Sequence, residues 1–213
     1  MYTYHMKVVV LIADIIESRE IEDRSRFQDD LGRCLNFINT RAHTLLSPYT
    51  VTLGDEFQAV YATGAEVLDH IIYIQTELFP VKFRFSVSFG EITTKINKKQ
   101  AIGMDGPVFH EAREGITRLK KTKYSVIGLS GLAEDELEIV NSGLGLASAV
   151  MAGWKAETLH IFHALYQGLK VSDILPHYDL SQRGMYKLIN RNRLWEFVRF
   201  FESVREELKK LQE

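Results

Sequence analysis

Residues 8–13, Val8-Val9-Val10-Leu11-Ile12-Ala13, form an unbroken apolar run that stops at Asp14. A run this short and this rich in valine reads as a buried strand, with a carboxylate placed at its end. After a polar loop over 17–24, Phe27, Leu31, Cys34, Leu35 and Ile38 recur at helical spacing and mark one buried stripe. Residues 49–53 and 57–61 flank Gly54-Asp55 and predict a hairpin, with glycine supplying the positive φ of a tight two-residue turn. Val67, Leu68, Ile71, Ile72 and Leu78 return to helical period before Pro80.

Phe83, Phe85, Val87 and Phe89 then alternate with Arg84, Ser86 and Ser88, the pattern of a strand with one wet face. Pro107 opens a helix carrying Val108, Ala112, Ile116 and Leu119, and residues 124–129 read as a last strand. The order β, α, β, β, α, β, α, β predicts an α+β fold of ferredoxin-like, split βαβ type over residues 1–130. It is expected to be a two-layer sandwich with helices on one face and the other face open. Residues 131–153 read as a helical connector broken by Gly143 and Gly145. Residues 154–213 predict a small all-helical module.

With 213 residues, 46% hydrophobic, the chain can bury one good core and carry a small second module. The formal charge of −2 provides no global basic field, so contact with nucleic acid requires a local patch. Cys34 is the single cysteine, which excludes an intramolecular disulfide and a cysteine-rich zinc site and points to a reducing, cytoplasmic setting. No apolar stretch approaches the roughly 20 residues of a membrane span, and no secretion signal is read.

Asp14 and Asp55, each at a predicted strand end, are hard oxygen ligands suited to Mg2+ or Mn2+ carrying a nucleotide triphosphate, and Glu56 is a candidate third carboxylate. Acidic residues at strand ends also serve as solvated caps. His110 and Glu111 are adjacent on one helix and so cannot both face one substrate, which makes His110 a surface histidine.

Ile12-Ala13-Asp14-Ile15-Ile16-Glu17-Ser18 resembles the first metal-binding segment of class III nucleotidyl cyclases. Leu53-Gly54-Asp55-Glu56-Phe57 resembles their second segment and the GGDEF hairpin of diguanylate cyclases. Residues 84–91 are similar to the cyclase strand that ends in glycine, and residues 106–113 to the helix bearing the transition-state arginine. The resemblance implies Asp14 and Asp55 as metal ligands, Ser18 and Arg19 near phosphate, and Arg113 as the group that steadies developing phosphate charge. It also implies a homodimer, because cyclase sites form between two copies. The chain departs from the pattern at three places: Phe109 stands where the cyclase helix has asparagine, Val51 where the base-reading lysine is expected, and Glu17 where the phosphate turn has glycine.

Toward the C-terminus, residues 171–175 predict a short helix, Tyr178-Asp179-Leu180 a turn, and residues 181–190 a serine-capped helix. This pairing resembles the helix-turn-helix of sigma-factor-like DNA-binding domains, with Leu180, Met185 and Ile189 as core positions. Gln182, Arg183, Tyr186, Lys187, Asn190 and Arg191 would then face DNA. Between Ser181 and Arg199 five cations stand against one anion, a local charge of 5 − 1 = +4. A tail that packs on the sheet or on a second copy is the bland alternative. In the last helix, Leu194, Val198, Phe201, Val204, Leu208 and Leu211 form a stripe that would serve a dimer or close the module's own core.

Taken whole, the chain resembles the SatD family of bacterial proteins, whose name records a stress phenotype. The leading expectation is a cytoplasmic regulator whose first module senses a nucleotide, a cyclic nucleotide or a related phosphate ligand and whose second contacts DNA. A metal-dependent nucleotidyl or phosphoryl-transfer enzyme and a non-catalytic scaffold are the alternatives.

Overall fold

The computed structural model describes residues 6–52, 54–123, 125–132 and 134–210, with the side chains of 134–136 left aside. The parts of the reading that fall on Leu53, Tyr124 and Leu211 lie outside the described residues.

Elements follow in the order β1 (Met6–Ile15), α1 (Arg24–Asn39), β2 (Leu45–Val51), β3 (Glu56–Tyr61), α2 (Val67–Glu77), β4 (Phe83–Ile92), α3 (Pro107–Lys120) and β5 (Ile127–Ser130). Helices alone come next: α4 (Glu134–Met151), α5 (Ala156–Tyr166), α6 (Val171–Ile174), α7 (Gln182–Arg191) and α8 (Leu194–Lys210). Among the described residues the sheet has five strands, in the order β2-β3-β1-β4-β5. Every neighbouring pair is antiparallel except β4 and β5, which run parallel.

The apolar run of β1 occupies the middle of this sheet and is covered on both sides. Val9, Leu11, Ala13 and Ile15 point into the cluster formed with α1 and α2, where the predicted stripe Phe27, Leu31, Cys34, Leu35 and Ile38 is the buried face of α1. Val8, Val10 and Ile12 point the other way and meet Val108, Phe109, Ala112 and Ile116 of α3. The second face is therefore not open, which corrects the two-layer expectation. A parallel β4-α3-β5 unit must cross over, and the crossover carries α3 to the face opposite α1 and α2.

The polar side of β4 is correspondingly dry: Ser86 and Ser88 are fully buried under α3. Small residues permit the close approach. A Cβ built at Gly115 would come 2.0 Å from Ser86 Oγ, so only glycine lets the helix lie this near the strand. The rest of that face is covered by the loop 93–106, whose Ala101 carbonyl accepts from Gln58 and whose Asn97 carbonyl accepts from Ser47 Oγ at 2.5 Å.

α4 runs through Gly143 and Gly145 without a break. Those glycines serve packing instead: a Cβ at Gly143 would meet the Phe200 ring at 2.8 Å, and one at Gly145 would meet Ser125 Oγ at 2.7 Å. One continuous buried cluster runs from the α1 side of the sheet through Leu144, Phe162, Met185 and Phe201. The stripe Leu194, Val198, Phe201, Val204 and Leu208 of α8 is spent on this core, with Phe201 packed on Phe162 and Tyr166. An Arg205 to Asp69 ion pair at 3.3 Å ties α8 to α2.

Candidate functional site

The carboxyl end of β1 brings the candidate acidic residues to one edge of the sheet. Asp14 lies opposite Glu56 of β3 on one side and opposite Arg84 of β4 on the other, so the three share the face that α3 covers. The hairpin places Asp55 beside them, and its carbonyl accepts from the Ile15 amide at 3.0 Å. The Thr52 amide donates to the Glu56 carbonyl at 2.9 Å and joins the two strands beside this turn. Gly54 has the positive φ anticipated for it, 55°.

Each carboxylate already has a partner. Asp14, 7% exposed, binds Arg84 Nη1 through Oδ2 at 3.0 Å and Lys120 Nζ through Oδ1 at 2.9 Å. Glu56 Oε1 accepts from Thr52 Oγ1 at 3.1 Å and lies 3.4 Å from Arg113 Nη1. Asp55 Oδ2 accepts from Ser18 Oγ at 3.0 Å. Asp14 and Glu56 are thus compensated by Arg84, Lys120 and Arg113 of the same chain, as half-buried carboxylates require.

Among the described residues, no three His, Cys, Asp or Glu side chains are grouped as a metal site. Carboxylates are the right donors for Mg2+ or Mn2+, but both oxygens of Asp14 are engaged by cations, so the arrangement as it stands does not fit a metal ion. Ser18 is used by Asp55, while Arg19 is exposed in the short turn Ser18–Glu20. Glu17, in place of the glycine of the resembled pattern, adopts φ 56° and ψ 39°, the left-handed region where glycine sits without strain. Phe109 is 5% exposed and packs on the sheet, so the position of the missing asparagine belongs to the core. His110 is a surface residue, 3.3 Å from Asp105.

Arg84 and Lys120 are the members of this cluster that the sequence reading missed. Alternation along β4 predicts a wet face for Arg84, whereas α3 covers that face and leaves its side chain 20% exposed. The signal available in the sequence was its even spacing from Ser86 and Ser88, which puts all three on one side.

A second polar group lies across the sheet. The Tyr49 and Tyr61 hydroxyls bond each other, and Tyr61 Oη is 2.9 Å from His70 Nδ1. Burial pushes the His70 imidazole down to about 4, against the pull of Glu66 and Asp69, so the ring is neutral near pH 7.

The candidate DNA-contacting residues are all on the outside of α7. Ser181 caps this helix through Gly184 N–H at 3.1 Å, and Met185 and Ile189 anchor it. Gln182, Arg183, Tyr186, Lys187, Asn190 and Arg191 are exposed, and none has an ion pair or side-chain hydrogen bond among the described residues. The helix before it is shorter than expected: α6 is a single turn, Val171–Ile174, that tightens into a 3-10 turn over Leu175–His177 at Pro176.

The sequence matches the model of the SatD family over residues 8–189. The chain belongs to the SatD family. No curated protein matches it. Solved structures similar to this SatD family member include a bacterial light-regulated adenylyl cyclase, 12% identical with a TM-score of 0.42 over 61% of this chain. A guanylyl cyclase crystal structure is also 12% identical, with a TM-score of 0.42 over 70% of this chain and 81% of its own. The chain spans 44% of the adenylyl cyclase. Among the described residues, no helix is long and apolar enough to cross a membrane.

Proposed function

We propose that this SatD family member is a cytoplasmic regulator that contacts DNA through α7 and senses a phosphate-bearing ligand at the end of β1. The observation that carries the reading is the outer face of α7: Arg183, Lys187 and Arg191 recur every four residues, without carboxylate partners, beside Gln182, Tyr186 and Asn190. In a chain of net charge −2, three unpaired cations in a row call for an anionic partner. We read α6, the turn after it and α7 as a compact helix-turn-helix, and the order β2-β3-β1-β4 as the split βαβ plan with β5 added at the edge.

At the sheet edge, Arg113 and Lys120 carry their charges on side chains about half exposed. A nucleotide phosphate can compete there with Glu56 and Asp14 for the two cations, because the exchange trades one anion for another. Such a ligand would shift the protein only if it bound one arrangement better than the other. Pairing of two copies through this region is part of the proposal.

The test is titration of duplex DNA followed by fluorescence anisotropy at several salt concentrations. Arg183→Ala should weaken binding and Lys187→Ala should make the salt dependence shallower. No binding by the wild type at low salt would sink the DNA reading. For the ligand, a thermal-shift panel of nucleotides and cyclic dinucleotides, with and without Mg2+ or Mn2+, should show a rise that Arg113→Ala removes.

Arg113 beside Glu56 also favours a second reading, nucleotidyl or phosphoryl transfer, in which Asp14 would have to release Arg84 and Lys120 before it and Asp55 could hold the ions. Metal-dependent turnover of a nucleotide triphosphate, lost in Asp14→Asn, would establish it in place of sensing.

A further inference from the structure

A cleft of about 380 Å³ opens between the start of α5 and α7. Lys155, Lys187 and Arg191 line it against a single carboxylate, Glu157, and none of the three cations has an ion-pair partner among the described residues. The start of α5 faces the same space. Lys155 is its N-cap and makes no side-chain cap, and the first backbone bond of the helix runs from Leu159 N–H to Lys155 O at 3.1 Å. The amides of residues 156–158 therefore have no backbone acceptor, and an 11-residue helix concentrates positive potential at that end.

Thr158 is the independent sign of a ligand. It lines the cleft and is 94% buried, 6% of its surface being exposed, yet its hydroxyl has no hydrogen-bond partner among the described residues. The oxygen itself keeps contact with the cleft's solvent, so a ligand acceptor there can take the place of water on this hydroxyl. Free amides, an unbonded hydroxyl and three cations are all donors, and the acceptor that suits them is an anionic oxygen.

We propose that this cleft holds one backbone phosphate of the DNA that α7 contacts, clamped between Lys155 with the α5 amides and Lys187 with Arg191. The inference rests on the DNA reading above and adds α5 to the contact surface. The row Arg183, Lys187, Arg191 extends beyond the cleft, with steps of roughly 6 Å along the helix axis. Charge spread over that length suits a chain of phosphates better than a single one.

The experiment uses the full chain and a fluorescein-labelled duplex of random sequence, titrated across a range of salt. Lys155→Gln should lower the slope of log affinity against log salt by about 0.9, the loss of one phosphate contact, and Lys155→Arg should restore it. Thr158→Val should weaken binding roughly fivefold, the loss of one hydrogen bond, with the slope unchanged. Wild-type protein that binds while Lys155→Gln matches it in affinity and slope overturns the clamp and leaves the α7 reading standing. Wild-type protein that fails to bind at low salt overturns both. Lys155 is exposed, so its replacement tests the contact without disturbing the fold.

Discussion

The end of β1 and the outer face of α7 are both crowded with charge, and they treat it in opposite ways. At the end of β1, Asp14 is enclosed by Arg84 and Lys120, and Glu56 is met by Arg113, so the group is neutralised by its own chain. On α7 the cations stand in water without partners. Charges inside a fold must be compensated to be tolerated, whereas charges on a solvated helix cost little and remain available. A ligand at the first place has to displace something, while a partner at the second only has to arrive.

The largest expected effect breaks the compensated side. Asp14→Ala removes the shared partner of Arg84 and Lys120 and leaves the Arg84 guanidinium, 20% exposed, without its counter-charge. Unfolding free energy should fall by about 3 kcal/mol in urea titration. A loss under about 1 kcal/mol would mean that the cluster does not hold the strand ends.

Acid separates the α7 face from a third place, the buried tyrosine and histidine group across the sheet. The His70 imidazole is held at about 4, below its usual 6.5, so the unfolded chain takes up a proton before the folded one does. Its contribution to stability is complete above pH 6.5 and is lost as the pH falls toward 4, worth at most about 3 kcal/mol. His70→Gln should flatten the stability profile between those limits. α7 has no histidine or carboxylate, and its cationic face should stay unchanged over the same range.

Gly115→Ala comes next, because its Cβ would collide with Ser86 Oγ and push α3 off the sheet. Overpacking of this kind costs about 2 kcal/mol. It would also carry Arg113 and Lys120 away from their carboxylates, so its effect should be non-additive with Asp14→Ala. The smallest effect is expected on the open side: Arg183→Ala and Lys187→Ala should each change stability by less than about 0.5 kcal/mol. A larger loss would show that these side chains have structural partners and would remove the contrast.

Much of the local structure was legible in the sequence. The α1 stripe, the positive φ of Gly54, the Ser181 cap and the core positions Met185 and Ile189 each follow from a period or a turn rule that acts within a few residues. Ser86 and Ser88 are dry despite their alternation, which reports that a face is polar and not that water reaches it. Gly143 and Gly145 do not break α4, because glycine weakens a helix but also lets a neighbour approach, and the composition is the same in both cases. The cations that meet Asp14 lie 70 and 106 residues away, beyond any spacing rule.

By itself, the sequence determined which segments become strands and helices, where the acidic residues fall at strand ends, and that α7 carries a basic outer face. These depend on hydrophobic period and backbone preference, which neighbouring residues settle among themselves. Only the tertiary structure decided that α3 seals the second face of the sheet and that Arg84, Arg113 and Lys120 neutralise the carboxylates. The parallel crossover from β4 to β5 assigns α3 its side, and burying Asp14 there leaves no low-energy arrangement without cations against it.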